Sequence, residues 1–456
     1  MGAPGTPKKR WWAPGAQSLW RHSDFLRLWS AETISQLGTQ VTLLALPLIA
    51  ILVLRANPFE VGLLTAVEYL PFLLVGLPAG VWVDRLRRRP VLIAADVGRA
   101  VSLASIPVAH VVGELTLPHL YLVAFVNGTL TVFFDVAYMS YLPSLVDRGQ
   151  LMEGNSKLEV SRSGAELAGP GLAGALIQVL TAPVAIVLDA ASFVGSALFL
   201  FLIRHREPSR RTEQKEAPPR MRTEIGEGLR YVLRHRLLLP IAICTSATNL
   251  FAHMAFAIYL VYAVRQLGLS AAVIGVTFAL GNVGFLVGAV AASRIAKWLG
   301  LGRTIWVSAA IFGPSLVLIP LAPRTTPFPF LVAAWFLGSF GSVVYNVNQV
   351  SLRQAITPDR MQGRMNATVR FLVWGTMPIG AFIGGALANA IGLRSTLYVA
   401  AVGGLFVMLP VLLSPVRKLR EIPEPEDQPT GAGPPITVPP PPATVVLPEP
   451  ISTEST

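Results

Sequence analysis

The sequence has little of what soluble enzymes use for chemistry. Cys244 is the only cysteine among 456 residues, so neither an internal disulfide nor a cysteine metal cluster can form. No glycine-rich loop ends in Gly-Lys-Ser or Gly-Lys-Thr, which excludes nucleotide binding by a P-loop. No His-Glu-x-x-His pair or serine nucleophile elbow is present, and the 6 histidines show no ligand spacing. These absences predict a chain that is not an enzyme and that has no metal and no cofactor.

Charge is also scarce, whereas hydrophobic residues are plentiful. Only 14% of the residues are charged, against about 25% in soluble domains. Hydrophobic residues make up 53% of the chain, and the mean hydropathy is +0.57. The net charge of +12 is spread over short segments between apolar runs, which argues against a nucleic-acid partner. The composition therefore predicts a membrane protein whose partner is the lipid bilayer.

About twelve apolar runs of roughly 20 residues follow one another, each long enough to cross a bilayer. Their limits are 29–53, 60–82, 91–112, 118–142, 155–179, 183–203, 238–264, 272–297, 304–322, 328–353, 365–390 and 394–414. With the N-terminus inside, the outer loops hold few arginines, namely Arg55, Arg265, Arg324 and Arg394. Basic residues mark cytoplasmic loops. We therefore expect an all-α, multi-pass protein of the plasma membrane with both termini cytoplasmic.

The two halves of the chain repeat a pattern of motifs. Asp147-Arg148 in the first half has its counterpart in Asp359-Arg360, roughly 210 residues later. Two parallel six-helix repeats are typical of facilitator-type transporters. The predicted parts are an N-terminal segment with an interfacial helix (1–28), two six-helix bundles (29–203 and 238–416), a cytoplasmic linker (204–237) and a disordered proline-rich tail (417–456).

The stretch Gly80–Pro90 joins two apolar runs and concentrates one acid and four arginines. We expect a tight turn in which Gly80 lets backbones approach closely and the arginines hold this end at the inner face. A topology anchor without further role is the alternative. The stretch resembles the loop signature of the major facilitator superfamily, although Arg87 stands where that family often has a second glycine. The matching residues are Gly80, Asp84, Arg85, Arg88 and Arg89. The resemblance implies a twelve-helix fold in which this gating loop latches the two halves together.

Four apolar runs carry polar residues on one helical face, at spacings of three or four residues. They are Glu32, Gln36 and Gln40 in the first run, Asn127, Thr131 and Asp135 in the fourth, Thr245, Asn249 and His253 in the seventh, and Tyr345, Asn348 and Gln349 in the tenth. In lipid such side chains must face a cavity or another helix. Runs one, four, seven and ten line the central cavity in the major facilitator superfamily, so the resemblance implies substrate contacts. Arg370 in the eleventh run is the main basic residue beside these stripes.

Acids inside the apolar runs are candidates for proton coupling. Glu68 has no basic residue within one or two helical turns, and burial of an isolated carboxyl favours its protonated form. A structural acid bound to a neighbouring backbone is the alternative. Asp135 could bind a proton or a cationic substrate. Glu159, Arg162 and Glu166 share one helical face, which indicates an ion network, with a coupling relay through Glu166 as the alternative.

Small residues on the fifth run are spaced for close helix packing, with Pro170 bending the helix. Gly169, Pro170 and Gly174 resemble a signature of drug–proton antiporters, with alanine at two of its glycine positions. Further likenesses are Ser35–Gly38, Glu68–Pro71, Gly76–Gly80 and Tyr141–Asp147. These stretches resemble the sequences of one bacterial branch of the major facilitator superfamily, which exports drugs, macrolides and siderophores. The resemblance implies outward transport.

The sequence therefore predicts a proton-coupled exporter of hydrophobic or amphiphilic small molecules that works by alternating access, as a monomer. An importer of a small nutrient with the same fold is the first alternative. A membrane scaffold or membrane enzyme is the second, although it would need a catalytic set that the sequence lacks.

Overall fold

The structure is a computed structural model that describes residues 18–205 and 221–421, and within these residues it forms sixteen α-helices and no strand. The helices are α1 (Ser23–Leu48), α2 (Pro58–Leu74), α3 (Gly76–Arg85), α4 (Arg88–Val112), α5 (Leu117–Leu145), α6 (Leu151–Leu180), α7 (Ala182–Leu202), α8 (Met221–Arg234), α9 (Leu238–Arg265), α10 (Ala271–Leu299), α11 (Leu301–Ala310), α12 (Phe312–Leu321), α13 (Pro327–Ile356), α14 (Asp359–Ile391), α15 (Leu393–Phe406) and α16 (Leu409–Leu412). The all-α prediction is thus confirmed for the part of the chain that is described.

In the described ranges, 10 helical segments are long and apolar enough to cross a membrane. The two other expected crossings coincide with α2–α3 and with α6. The first is divided at Val75, although the N–H groups of Val75 and Ala79 still donate to the carbonyls four residues earlier, both at 2.8 Å. The second carries charged residues such as Glu159, Arg162 and Glu166, which lower its hydropathy.

Helix packing repeats between the two halves of the chain. In the first half α1 packs against α6 and α7, α4 packs against α5 and α7, and α2 packs against α5. In the second half α9 packs against α14 and α15, α12 packs against α13 and α15, and α10 packs against α13. Every contact in the first set has its counterpart in the second, so the halves are two pseudo-symmetric bundles, as the motif repeat predicts.

The two bundles meet through α2 with α14 and through α6 with α10, which are again equivalent pairs. Glycines make both crossings possible. A Cβ on Gly385 would lie 2.9 Å from the Cα of Gly62, and a Cβ on Gly275 would lie 3.0 Å from the Cα of Gly174. Gly62 lies near the start of α2 and Gly174 near the end of α6, so both crossings lie toward one face. We call it the closed face; it carries the links 54–57, 266–270 and 322–326.

The buried apolar side chains follow the same division. One cluster combines both bundles and includes Ala56, Tyr259 and Leu331. At the opposite face each bundle has a cluster of its own, with Leu19 in the first and Val416 in the second. We call this the arginine-rich face, because it carries the links 86–87, 146–150 and 300. Since burial of apolar surface drives packing, the bundles are held together mainly at the closed face.

Predictions near both ends of the chain need correction. The interfacial helix expected in the N-terminal segment is a short 3-10 turn at Leu19–Arg21 followed by the first turns of α1. The predicted tail begins at 417, yet Leu419 and Arg420 accept hydrogen bonds from the start of α11 at 2.8 and 3.1 Å. These hydrogen bonds hold the backbone against α11 as far as Arg420. The rest of the predicted tail (422–456), part of the linker (206–220) and residues 1–17 lie outside the described part of the chain.

The gating loop is also shorter than predicted, because α3 continues to Arg85 and α4 begins at Arg88. A Cβ on Gly80 would meet nothing within 4 Å, so the expected close approach of backbones at Gly80 is wrong. The backbone there borders open space between the bundles. The side chains of Asp84 and Arg85 lie outside the described residues, so the predicted latch through them stays a prediction.

Candidate functional site

A cavity of about 530 Å³ lies inside the second bundle and reaches the first bundle at Tyr69. Its walls come from α9, α10, α11, α12, α13 and α14. The aromatic residues that line it are Tyr69, Phe256, Tyr259, Phe285, Phe312, Trp335, Tyr345 and Trp374. We call it the aromatic cavity. Among its described lining residues there is no Asp, Glu, Lys or Arg.

Ring contacts hold the aromatic wall together. The ring centroid of Trp335 lies 4.6 Å from that of Phe278 and 5.2 Å from that of Tyr259. His253 packs edge-on against Tyr69, with 5.0 Å between the ring centroids. Such edge-to-face contacts place ring edges and faces toward a ligand space and favour flat, apolar ligands.

The polar groups of this cavity are mostly satisfied within α9 and α13. The amide of Asn249 donates to the carbonyl of Thr245 at 2.9 Å, and Nδ1 of His253 lies 3.0 Å from the carbonyl of Asn249. The hydroxyls of Thr245 and Tyr345 share a hydrogen bond of 2.7 Å that joins α9 to α13. The cavity therefore combines a large aromatic surface with a few neutral hydrogen-bonding groups, the usual composition of a small-molecule site.

A second cavity of about 380 Å³ lies between the two bundles, toward the arginine-rich face. Asp135 of α5 and Arg370 of α14 line it from opposite bundles, together with Gly76 and Gly80 of α3. We call it the interbundle cavity. The charges of Asp135 and Arg370 act on each other, although no ion pair within 4.0 Å joins these two described residues.

Trp374 of α14 connects the two cavities because it lines both of them. The guanidinium of Arg370 lies 4.1 Å above the ring centroid of Trp374, and the ring of Phe72 lies 5.2 Å from the same ring. A cation over an aromatic face is attracted by the ring quadrupole. This contact fixes Arg370 beside the wall of the aromatic cavity.

A buried charged cluster lies in the first bundle. Arg99 donates to Asp96 one helical turn earlier, and both side chains are buried. The Arg99 guanidinium also lies 4.4 Å from the ring of Phe134 and 4.1 Å from that of Phe193. The charge of Arg99 further acts on Glu32 and Asp135. This cluster places several ionisable groups near the interbundle cavity.

The predicted stripe on α1 is buried at Glu32 and half-buried at Gln36 and Gln40. The amide of Gln36 donates to Oε1 of Glu32 at 2.8 Å, whereas Oε2 of Glu32 has no hydrogen-bond partner among the described atoms. Gln40 packs against Gly169 of α6. On α5, Oδ1 of Asn127 also lacks a partner within the described part of the structure. The polar side chains of α1 and Asn127 of α5 thus lie among packed helices. Thr131 lies one turn after Asn127 on α5.

The tenth run divides between the cavity and the helix interior. Tyr345 lines the aromatic cavity, but Asn348 and Gln349 do not. Their amides donate instead to the carbonyl of Val344 and to Oδ1 of Asn346, both at 2.8 Å. The expectation that all three residues share a cavity face is therefore wrong. Asn346 lines the cavity in their place.

The remaining acids have different surroundings. The carboxyl of Glu68 lines neither described cavity and makes no ion pair or side-chain hydrogen bond with the described residues. Glu166 lies 3.5 Å from Arg162, which also pairs with Glu159 at 3.4 Å, so the predicted ion network on α6 is present. Asp189 of α7 joins its helix to α1, because it accepts hydrogen bonds from Thr42 of α1 and from Ser192.

Arg89 of the gating loop binds within its own bundle. Nε of Arg89 donates to the carbonyl of Leu200 at 3.0 Å, and a second nitrogen donates to the carbonyl of Phe201. These carbonyls belong to the last turn of α7, where intrahelical partners are missing. Arg88 is buried at the start of α4. Arg89 thus caps a helix of the first bundle.

The Gly169-Pro170-Gly174 motif lies at the contact between the bundles. The carbonyl of Pro170 packs against Gly275 of α10, next to the Gly174–Gly275 crossing. The amide of Asn282 on α10 donates to the carbonyl of Glu166 at 2.6 Å. Small residues here therefore permit a close crossing of α6 with α10. Elsewhere, no three His, Cys, Asp or Glu residues of the described segments converge as metal ligands.

Comparison with known proteins agrees with this architecture. A model of the Major Facilitator Superfamily matches residues 28–325 and 242–451. The multidrug efflux pump Tap of Mycolicibacterium fortuitum is 26% identical over 390 residues, covering 82% of this chain and 90% of Tap. Macrolide efflux protein A of Streptococcus pyogenes is 21% identical over 401 residues, covering 87% of this chain and 97% of that protein.

Solved structures share the fold. A bacterial homologue of the iron transporter ferroportin, in an inward-facing state, superposes with a TM-score of 0.69 at 19% identity, covering 87% of this chain and 99% of that one. Two pseudo-symmetric bundles that meet around a cavity are the architecture of facilitator-type transporters. The chain belongs to the Major Facilitator Superfamily. It is a multi-pass membrane transporter of small molecules and not an enzyme.

Proposed function

We propose that this chain exports aromatic amphiphiles across the plasma membrane, as a monomer, in exchange for protons. The aromatic cavity is the observation that carries the proposal. Its volume of about 530 Å³ suits a drug-sized molecule, and its lining offers aromatic faces without a charged side chain. The similarity to a multidrug pump and a macrolide efflux protein supports the same substrate class.

The arrangement of the bundles supports alternating access. They share a buried cluster at the closed face and have separate clusters at the arginine-rich face. By the positive-inside rule the arginine-rich face is cytoplasmic, with both termini on that side. The interbundle cavity lies toward this face, so a substrate would enter from the cytoplasm. Rocking of one bundle against the other would then open the opposite face.

Proton coupling is assigned to Asp135 and Glu68, with Glu166 as a further candidate. Asp135 faces Arg370 of the other bundle across the interbundle cavity. A proton on Asp135 removes its attraction for Arg370 and thereby changes the relative energies of the open and closed states. Glu68 has no charged partner among the described residues, so its protonation changes the charge of an otherwise neutral stretch of α2.

The test is transport of a fluorescent aromatic dye that has no basic group into proteoliposomes with an acidic lumen. The unchanged chain should concentrate the dye in the lumen. Asp135→Asn and Glu68→Gln should each abolish gradient-driven accumulation but retain equilibration of the dye across the membrane. Glu114→Gln, a change at an exposed acid of the closed face, is the matched control and should behave like the unchanged chain.

Each result has a distinct meaning. Full accumulation by both variants would remove Asp135 and Glu68 from the coupling mechanism. Accumulation by the unchanged chain with the proton flow, in the same direction, would favour the nutrient importer. Absence of any dye movement, with movement of a charged nutrient instead, would contradict the aromatic substrate class.

A further inference from the structure

A third cavity, of about 440 Å³, lies at the arginine-rich end of the second bundle and shares no lining residue with the aromatic cavity. Four cationic side chains line it, together with Trp306 and leucines. The four are Arg303, Arg417, Lys418 and Arg420. We call it the basic cavity. The transport mechanism proposed above uses none of these residues.

The backbone holds the cations in this arrangement. The 3-10 helix Pro415–Lys418 lies beside the start of α11, where the N–H of Gly302 donates to the carbonyl of Leu419 at 2.8 Å. The N–H of Leu301 donates to the carbonyl of Arg420 at 3.1 Å. The carbonyl of Val416 packs directly on Gly302, where any larger residue would collide. The three basic residues at 417–420 are therefore fixed against Arg303.

In the described part of the chain, the four cations line the cavity without a carboxylate between them. Within residues 18–205 and 221–421, none of the four forms an ion pair, and no Asp or Glu lines the cavity. Like charges gathered around one space repel each other, and an anion placed between them relieves that repulsion. The basic cavity therefore fits an anionic ligand.

Its position corresponds to the headgroup level of a bilayer. The membrane-crossing segments Ala271–Leu299 and Leu393–Leu412 end at this cavity, and the segment Leu301–Leu321 begins there. Next to it, Trp298 is 84% exposed and Leu413 is 75% exposed. Tryptophan is typical of the membrane–water boundary, and basic pockets at that level bind lipid headgroups.

We propose that the basic cavity binds the phosphodiester headgroup of an anionic phospholipid, with the acyl chains lying along Trp298 and Leu413. Free phosphate would satisfy the same cations, but it would make no use of the exposed apolar flank. The arrangement thus favours a lipid such as phosphatidylglycerol over a soluble anion.

Native mass spectrometry of the purified full chain in neutral detergent tests this site. Titration with phosphatidylglycerol should give saturable binding of one lipid, whereas zwitterionic phosphatidylethanolamine should bind more weakly. Removing two cations in Arg417→Gln/Lys418→Gln should weaken phosphatidylglycerol binding by about 25-fold, at roughly fivefold for each cation. Arg230→Gln/Arg234→Gln changes the net charge equally at exposed residues of α8 and should leave the affinity within about twofold.

Gly302→Ala keeps every charge but displaces the segment that carries the cations, and it should also weaken lipid binding. Equal loss in the α8 control would mean nonspecific surface attraction and would overturn the proposal. Competition by inorganic phosphate at the same concentration as the lipid would overturn the assignment to a lipid. Lipid binding seen only after Glu424, Glu426 and Asp427 are changed to amides would identify those carboxyls as the ligand instead, and would also overturn it.

Discussion

Gly174 of α6 and Gly275 of α10 are in reciprocal backbone contact across the two bundles. A Cβ built on either glycine would lie 3.0 Å from the Cα of the other. No side chain can therefore be added at either position without moving a helix. Since the Gly62–Gly385 crossing is its symmetric equivalent, the closed face depends on two pairs of glycines.

Gly174→Ala should therefore destabilise the state with a closed face. Overpacking costs about 1–3 kcal/mol, which would change the balance between transport states by roughly 5- to 150-fold. Initial rates of dye transport in proteoliposomes would measure the loss. Gly164→Ala on the same helix, where an added Cβ would meet nothing within 4 Å, should retain the original rate. Equal rates for both variants would contradict the role of the crossing.

Arg265 at the end of α9 should hold the closed face together. It donates to the carbonyl of Ala56 at 2.7 Å and to that of Ile51 at 3.4 Å, both in the other bundle. Hydrogen bonds from a charged group contribute about 1.5–3 kcal/mol, so Arg265→Gln should shift the population toward a state open at this face.

Distances between spin labels on residues 114 and 391 would report this shift, with buried Cys244 changed to serine. Arg324→Gln is the matched control, because Arg324 is an exposed arginine of the same face. A distance distribution of Arg265→Gln that matches the control would show that this contact does not hold the face closed.

Trp335→Ala should weaken substrate binding with little change in turnover. Its ring lines the aromatic cavity and packs against Tyr259 of the same lining and against Phe278. Loss of that apolar surface should raise KM by roughly 30-fold, corresponding to about 2 kcal/mol of lost burial. Trp298→Ala removes the same side chain outside this cavity and should leave KM unchanged. A lower kcat with constant KM would assign Trp335 to helix packing rather than to ligand contact.

Asp96→Asn should lower the stability of the first bundle. The change leaves Arg99 buried without its carboxylate partner, and breaking a buried pair costs about 3–5 kcal/mol. Thermal unfolding in detergent would measure it. The exposed pair of Glu159 and Arg162 is the comparison, since Glu159→Gln should cost less than about 1 kcal/mol. Asp96→Asn/Arg99→Met, which removes the stranded charge, should recover part of the loss, and no recovery would argue against this explanation.

The fold was predictable because hydrocarbon restricts the chain so strongly. Long apolar runs must form helices there, and scarce charges must collect at the helix ends. The partners across helices were not predictable in the same way. Gly275, Trp335 and Phe193 have roles only because of the helices that face them, and the spacing within one helix carries no information about its neighbours.

The tenth run shows a signal that spacing does contain. Gly338, Ser342 and Asn346 follow one another at four-residue intervals, and all three line the aromatic cavity. Asn348 and Gln349, which the polar spacing indicated, instead form hydrogen bonds within α13. Small residues on the same helical face as an asparagine predict the cavity better, because a cavity requires small side chains as well as polar groups.

Trp374 has a consequence for how the two cavities respond to each other. One indole ring is a wall of the aromatic cavity and also the surface on which the Arg370 guanidinium rests. A ligand that shifts this ring must also shift the cation opposite Asp135. Thermodynamic linkage then requires the reverse effect with the same free energy. Neutralising Asp135 therefore changes the affinity of the aromatic cavity for its ligand.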